Sequence, residues 1–303
     1  MKGMRVSRKD LRPLFFCFIA ALSFSSLSKG HALDHQKSFL WKVQSKSATV
    51  YVLGSLHALK REMYPLPGVI EDAFRKSEVL VVEANINEMP LEGIMGMLEG
   101  AMYPGDEVLE SHLSKETYER ANARLSKFGM PIEFFRKSKP WFLALMITAL
   151  EMQRLGFNPE YGIDSHFLKK AAGRKRIMEL ESVTYQMNLF STLPEGDQES
   201  FLLYTLRDLD ILAREMDGLA RAWSTGDTEA LETIVLRGVQ DDPRMIQIYE
   251  KLIYERNGTM ASKIEGFFET GGHYFVVVGA GHLVGKKGII ELLKEKGYSV
   301  EQW

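Results

Sequence analysis

The chain has 303 residues, of which 45% are hydrophobic, 26% charged and 11% aromatic, with a formal net charge of -2 and a single cysteine, Cys17. This profile excludes collagen, low-complexity disorder, a disulfide-rich miniprotein and a strongly basic nucleic-acid binder. The length suits one large domain or two ordinary ones, and either can bury a sizeable core.

Lys2, Arg5, Arg8, Lys9 and Arg12 precede an apolar run from Leu14 to Leu22 that continues through mixed residues to Leu27. Gly30-His31-Ala32 then places small residues at -3 and -1, so residues 1–32 are expected to be a cleaved secretory signal peptide. The run is short and broken by serines, and no later stretch approaches 18 unbroken apolar residues, so no stable membrane span is expected after cleavage. Cys17 lies among Phe15, Phe16 and Phe18, without the small neighbours of a lipidated cysteine. Residues 33–303 hold 32 basic and 39 acidic residues, net -7, and no cysteine. A periplasmic or secreted domain of this kind has no disulfide framework and no thiolate nucleophile or metal ligand. Its chemistry must come from histidine, carboxylate, hydroxyl or arginine.

Phe39 to Val43 and Thr49 to Leu53 alternate in polarity around the polar Gln44-Ser45-Lys46-Ser47, which predicts a hairpin. A helix is predicted over about 66–76, followed by the buried strand Val79 to Val82 running into Glu83, a strand-helix-strand crossover. The middle of the chain reads as helix. Ser114 to Lys127 opens with a capping-box-like sequence, and Pro140 to Leu155 starts with Pro in its first turn. A further helix begins at Gly162-Ile163-Asp164, and Arg176 to Leu180 is a short strand ending in Glu181. Leu202, Leu206, Leu209, Ala213, Met216, Ala220 and Trp223 form one helical stripe, and Thr225 to Val239 and Pro243 to Phe268 supply more helix. Tyr274 to Val278 is a second buried strand, before a helix over 286–296 and a terminal strand at Tyr298 to Glu301. The fold class is therefore α/β (α+β): a central mixed sheet from strands near both ends, flanked by helices. Residues 33–303 form one domain with a helical insertion at about 90–270.

Two strands end alike. Val52-Leu53-Gly54-Ser55-Leu56-His57 and Val277-Val278-Gly279-Ala280-Gly281-His282 share the plan of strand, Gly, two small or apolar residues, His. Gly54 and Gly279 allow sharp exits, and each His falls at the carboxyl edge where α/β sheets bind ligands. Glu83, placed after four apolar residues, needs water or a partner. With His57 and His282 it makes a two-His, one-carboxylate set suited to a divalent metal, or it is the base for a metal-bound water. There is no HExxH helix. Each motif alone also suits a capped turn, and His112 and His273 read as surface or structural.

These residues resemble the TraB/GumN family, also called TraB/PrgY or TIKI-like. The matching elements are Phe39-Leu40-Trp41-Lys42-Val43, Gly54-Ser55-Leu56-His57, Glu83, Gly162-Ile163-Asp164, Leu180-Glu181, Arg256-Asn257 and Gly279-Ala280-Gly281-His282. The resemblance spans residues 36–303. It implies a relation to animal members described as membrane-anchored metalloproteases acting on Wnt proteins, and to bacterial members linked to shutdown of a peptide pheromone signal. GumN lies with polysaccharide genes without an agreed role, and the family looks related to erythromycin-esterase-like and ChaN-like proteins. It makes His57, Glu83 and His282 the catalytic or metal set, with Asp164, Glu181, Arg256 and Asn257 in support. Arg256 also stands on an apolar stripe with Met245, Tyr249, Leu252, Met260 and Ile264, so an inward guanidinium would need an anionic partner, unless it snorkels out. Asp164 also suits a helix N-cap, and Glu181 a solvent-facing strand end.

The expected function is a metal-dependent hydrolase, most plausibly a peptidase, in which Arg256 orients a carboxylate or stabilises developing charge. Peptide or small-molecule substrates are expected, and nucleic acid is disfavoured by the net charge of -7. The alternatives are a non-catalytic peptide- or sugar-sequestering protein and a metal- or haem-handling protein.

Overall fold

The computed structural model describes residues 37–85, 91–209, 211–240 and 243–303, so the expected signal peptide lies outside the described residues. Strands β1 (Leu40–Gln44) and β2 (Ala48–Ser55) pair antiparallel from Leu40 opposite Leu53 to Gln44 opposite Thr49. Their turn is held by Ser45, whose Oγ accepts the Ala48 N–H at 3.1 Å. Next come α1 (Gly68–Lys76), β3 (Val79–Val82), α2 (Leu91–Ala101), α3 (Lys115–Ser126), α4 (Pro140–Arg154), α5 (Ile163–Ala171) and β4 (Arg176–Glu179). Helices α6 (Val183–Ser191), α7 (Glu195–Asp208), α8 (Leu212–Ser224), α9 (Thr228–Gln240) and α10 (Pro243–Tyr249) follow. A π-helical turn at Glu250–Tyr254 leads into α11 (Glu255–Thr270), and β5 (Gly272–Gly279), α12 (Ile289–Glu295) and β6 (Ser299–Gln302) close the chain.

The six-stranded sheet runs β4-β3-β5-β2-β1-β6. β2, β5, β3 and β4 run parallel to one another, while β1 pairs antiparallel with both β2 and β6. β2 and β3 belong to the expected strand-helix-strand unit but are not adjacent, because β5 lies between them. The reason is in the side chains: β5 contributes Phe275, Val276, Val277 and Val278, all fully buried, a composition that needs cover on both faces and neighbours on both edges.

Helices cover both faces. Phe74 of α1 and Phe167 of α5 meet Phe275 at ring distances of 5.5 and 4.8 Å. Phe267 of α11 stacks at 4.5 Å on Tyr274, which points to the opposite face because strand side chains alternate. α11 thus lies across the sheet from α1 and α5, and its buried stripe Arg256, Met260 and Ile264 faces the strands.

Two expectations shift in detail. The stripe from Leu202 to Trp223 is carried by two helices, α7 and α8, divided after Leu209, which caps the first; Leu202, Leu206, Leu209, Met216 and Trp223 are buried. Helices α2 and α6 stand where no element was expected. Gly93, Gly96 and Gly100 dilute the helical pattern of α2, and α6 starts directly after Glu181 with Ser182 as its N-cap. No helix among the described residues is long and apolar enough to cross a membrane.

Candidate functional site

Four adjacent parallel strands end at one edge, and each delivers a candidate residue there. β2 reaches Ser55 and then His57; β5, paired with Gly279 opposite Ser55, continues into a short turn holding His282. β3 ends at Val82, opposite both Val277 and Glu179, and is followed by Glu83. The pairing extends one step further, since the Glu83 N–H donates to Val277 O at 3.0 Å and the Glu181 N–H to Glu83 O at 2.8 Å. Both glutamates are therefore placed by sheet hydrogen bonds, not by loop geometry.

Glu83, Glu181 and Arg256 are all buried. The Arg256 Nε donates to both Glu181 oxygens at 3.1 Å, and its NH2 group reaches Glu181 Oε2 at 2.7 Å and also pairs with Glu83 Oε1. A third donation, from NH1 to Leu252 O at 2.7 Å, falls in the π-helical turn preceding α11. Most of the guanidinium is thus committed to the two strand-end glutamates and to its own helix. The half-buried Gln186 of α6 adds an amide bridge, from Nε2 to Glu83 Oε1 at 2.8 Å and to Glu181 Oε2 at 3.1 Å. The remaining Glu83 oxygen, Oε2, accepts the Gly279 N–H at 2.9 Å.

The two histidines are each held from behind. Asp164, in the first turn of α5 and buried, accepts from Ser55 Oγ and lies 2.7 Å from His57 Nδ1. A carboxylate here requires the proton on Nδ1, so Nε2 is the nitrogen turned to the site. Gly162, the residue before α5, makes this approach possible: a Cβ there would lie 2.2 Å from His57 O. At His282, Nδ1 stands 2.6 Å from Asn257 Oδ1, while Asn257 Nδ2 donates to Lys287 O at 2.8 Å. The Lys287 carbonyl can only accept, which turns the Asn257 oxygen toward His282 and leaves Nε2 of His282 unprotonated.

Charges follow from these contacts. Burial pushes the His282 imidazole down to about 3, against the pull of Glu83 and with the help of Arg256 and His57, so it is neutral near pH 7. Burial also lowers His57, but Asp164, by charge and hydrogen bond, and Glu83 together outweigh burial and Arg256 and leave it raised. For Glu83, burial acts upward while His282, Arg256, His57 and the Gly279 N–H act downward, and the carboxyl is held well below the usual range. Because His282 is neutral at pH 7, Arg256 is the main counter-charge there. Arg256 itself is raised: the two glutamates overcome its burial.

Gly279 shows how closely the groups converge. A Cβ built on it would lie 3.3 Å from His282 Cδ2 and 3.4 Å from both Glu83 Oε2 and His57 Nε2. His57 is the most open of the three, with 17% of its side chain exposed against 3% for His282. Two imidazoles with their outer nitrogens held by acceptors, and one ionised carboxylate oxygen, fit a divalent cation by donor chemistry. The spacing is not that of a closed metal site: among the described residues no group of three or more His, Cys, Asp or Glu is placed to hold an ion. Glu83 Oε1 stands 3.7 Å from His282 Nε2, drawn instead toward Arg256 and Gln186.

The model of the TraB/PrgY/gumN family matches residues 39–302, from the first strand to the last. The chain belongs to this family. Among its relatives, an Escherichia coli protein named uncharacterized protein YbaP is 25% identical over 247 residues, covering 80% of this chain and 87% of that protein. A metalloprotease TIKI homolog from Amphimedon queenslandica is 22% identical over 88% of this chain and 62% of its own length. Metalloprotease TIKI2 of Danio rerio is 22% identical over 87% and 60% respectively. The chain thus spans about three-fifths of the length of these metalloprotease-named relatives. No solved structure gives a significant match.

Of the family residues anticipated in the sequence, His57, Glu83, Asp164, Glu181, Arg256, Asn257, Gly279 and His282 share this one edge. Gly54 is set by packing, since a Cβ there would come within 2.4 Å of the Phe39 ring. Asp164 is not an N-cap, a position held by Gly162, and Glu181 is not solvated. His112 stacks on Tyr103 at 4.0 Å and pairs with Glu107 and Glu195, away from this cluster, and His273 is exposed. Ser55 and Gln186 went unnoticed as contributors. Ser55 stood inside a motif that already drew attention to its glycine and histidine, whereas nothing in the local pattern of α6 marks Gln186.

Proposed function

We propose that this protein is an exported hydrolase that cleaves peptide bonds where His57, Glu83 and His282 converge, the two Nε2 atoms being the groups that would hold a divalent ion and Glu83 Oε2 the one that would orient the attacking water. The observation that carries the reading is the convergence of those three groups beside Gly279. The metalloprotease names of the TIKI relatives support it.

The ion would supply polarisation of the scissile carbonyl and acidify the attacking water. The protein's own groups do the rest. Asp164 and Asn257 keep the Nδ1 protons of His57 and His282 in place, so that both Nε2 lone pairs face the gap. Arg256 and Gln186 fix the Glu83 carboxylate and keep it ionised, leaving Oε2 to accept a hydrogen bond from the attacking water and orient it. A carboxylate held this low is better suited to orienting the water than to retaining its proton.

The test is metal analysis of purified protein and cleavage of a peptide library by wild type, His57→Ala and His282→Ala. The reading requires metal-dependent cleavage that both substitutions abolish. Peptide recovered intact, with binding indifferent to both substitutions and to chelator, would instead favour a sequestering protein.

A further inference from the structure

Trp223, near the end of α8, is buried, and its indole N–H donates to the Gly54 carbonyl at 2.6 Å. We propose that Trp223 is a positioning residue for His57: by holding the Gly54 carbonyl it fixes the exit of β2, and with it the direction in which the His57 imidazole enters the site. The inference rests on the hydrolase reading above and adds to it a residue of the helical insertion that acts through the backbone.

Gly54 lies one step past the last pair of the β1–β2 ladder, Leu40 with Leu53. Its N–H still donates to Phe39 O at 3.0 Å, while its carbonyl is taken by the indole. An indole nitrogen only donates and a carbonyl only accepts, so in this buried setting each satisfies the other. The three residues that follow carry the effect to the site. Ser55 Oγ donates to Asp164 Oδ2, Leu56 O accepts the Ile163 N–H at 3.1 Å, and His57 Nδ1 lies 2.7 Å from the same Asp164 oxygen. A strand exit free to shift would therefore move Ser55 and His57 against the start of α5, where Asp164 stands.

The helix that carries Trp223 is itself tied down. Beyond it the chain turns at Gly226, with φ at +66°, so close to Lys37 that a Cβ would come within 2.6 Å of the Lys37 carbonyl oxygen. The Gly226 carbonyl accepts from Gln302 Nε2 at 2.7 Å, and the same amide donates to Ser38 O at 3.2 Å. The end of α8 is thus fastened to β6 and to the chain entering β1. Nearer its start, Asp217 Oδ1 accepts from Lys60 Nζ at 2.8 Å, three residues past His57. α8 therefore holds the chain on both sides of His57, but unequally. Lys60 and Asp217 are 26% and 50% exposed, and water weakens such a pair, whereas the indole contact is buried.

The experiment places 3-benzothienylalanine at position 223 of the full chain, which keeps the bicyclic shape and lacks the N–H, and uses Trp223→Phe as a second variant. Imidazole Cε1–Hε1 resonances are recorded by NMR at pH 7.5 without added metal, His57 being the signal absent from His57→Gln. The His57 resonance should move in both Trp223 variants, while those of His112 and His273 stay in place. Peptide cleavage should fall about tenfold or more in kcat with KM unchanged, the scale of misorienting a reacting group. A His57 resonance indifferent to loss of the indole N–H, equal movement of His112 and His273, or cleavage at the wild-type rate overturns the assignment. Where wild type itself cleaves no peptide, a displaced His57 resonance upholds the positioning role and counts only against the hydrolytic reading.

Discussion

Asn257 and His282 stand 2.6 Å apart, amide oxygen to imidazole Nδ1, and this contact decides which histidine nitrogen faces the site. Asn257 can make the choice because its other end is anchored on the Lys287 carbonyl. The side chain that sets the tautomer of His282 is thereby tied to the loop following it.

Replacing Asn257 with Leu should free the His282 tautomer and leave a buried N–H unpaired. The expected cost is about 1–3 kcal/mol in stability, read from urea unfolding. On the proposed metal reading, Co²⁺ affinity should fall about 10–100-fold, the usual effect of losing an outer partner of a ligating histidine. A variant with wild-type Co²⁺ binding would show that the orientation of His282 does not depend on this amide.

Arg256→Met should be far more damaging to the fold than an ordinary surface change. It strands Glu83 and Glu181 as buried carboxylates, at a cost of about 3–5 kcal/mol. Adding Glu181→Gln should recover part of that loss, because the remaining amide no longer needs a cation. Chemical denaturation of the single and double variants checks both statements, and strict additivity would contradict them.

His282 makes stability sensitive to acid. Its folded value is pushed down to about 3 from an ordinary 6.5, chiefly by burial. The unfolded chain therefore takes up this proton as pH falls below 6.5, while the folded chain stays neutral until far lower. The contribution is complete above 6.5 and is lost progressively as pH falls toward 3, with a slope of at most about 1.4 kcal/mol per pH unit. Glu83, also lowered, adds the same sign below its ordinary 4.5. His57 is raised and acts oppositely: its contribution is full below 6.5 and fades as pH rises through its folded value. Urea midpoints from pH 7 to 5 should fall less steeply in His282→Gln than in wild type, and identical slopes would sink the assignment.

Gly279→Ala tests the gap without removing any of its groups. The added methyl would sit 3.3–3.4 Å from His282, Glu83 and His57, close enough to occupy the point they share. Thermal stability should change by no more than about 1–3 kcal/mol, the usual range for overpacking, while Co²⁺ binding and any peptide cleavage should be lost. Gly54→Ala offers the contrast. Its methyl would strike the Phe39 ring and approach the Ala280 backbone, so it should lower stability and affect the site only indirectly.

Much of this site could be read in the chain. Apolar runs ending in Gly54 and Gly279 announced strands with sharp exits. Glu181 came only from the family resemblance and also suited a solvent-facing strand end, whereas Glu83 stood out because a carboxylate after buried residues needs a partner. Arg256 drew notice for the same reason, on an apolar helical stripe. What local pattern could not carry was pairing across the sheet. The insertion of β5 between β2 and β3 is a long-range arrangement, and it is what brings His282 beside Glu83. Gln186 was invisible because a half-buried polar residue in a short helix looks like any surface residue until its acceptors are known. The α2 helix escaped because its glycines suppress the propensity by which helices are recognised.

The placement of β5 ties the sheet and the site to one segment of the chain. Among the strands that precede β5 in the chain, the sheet pairs only β1 with β2 and β3 with β4, and β5 supplies the hydrogen bonds that join the two pairs. Residues 272–279 are the seam that closes the sheet, and His282 follows three residues behind. In the folded sheet the strand bearing His57 and the strand bearing Glu83 are joined only through β5, so the segment that completes the sheet is also the one that sets the spacing of the site.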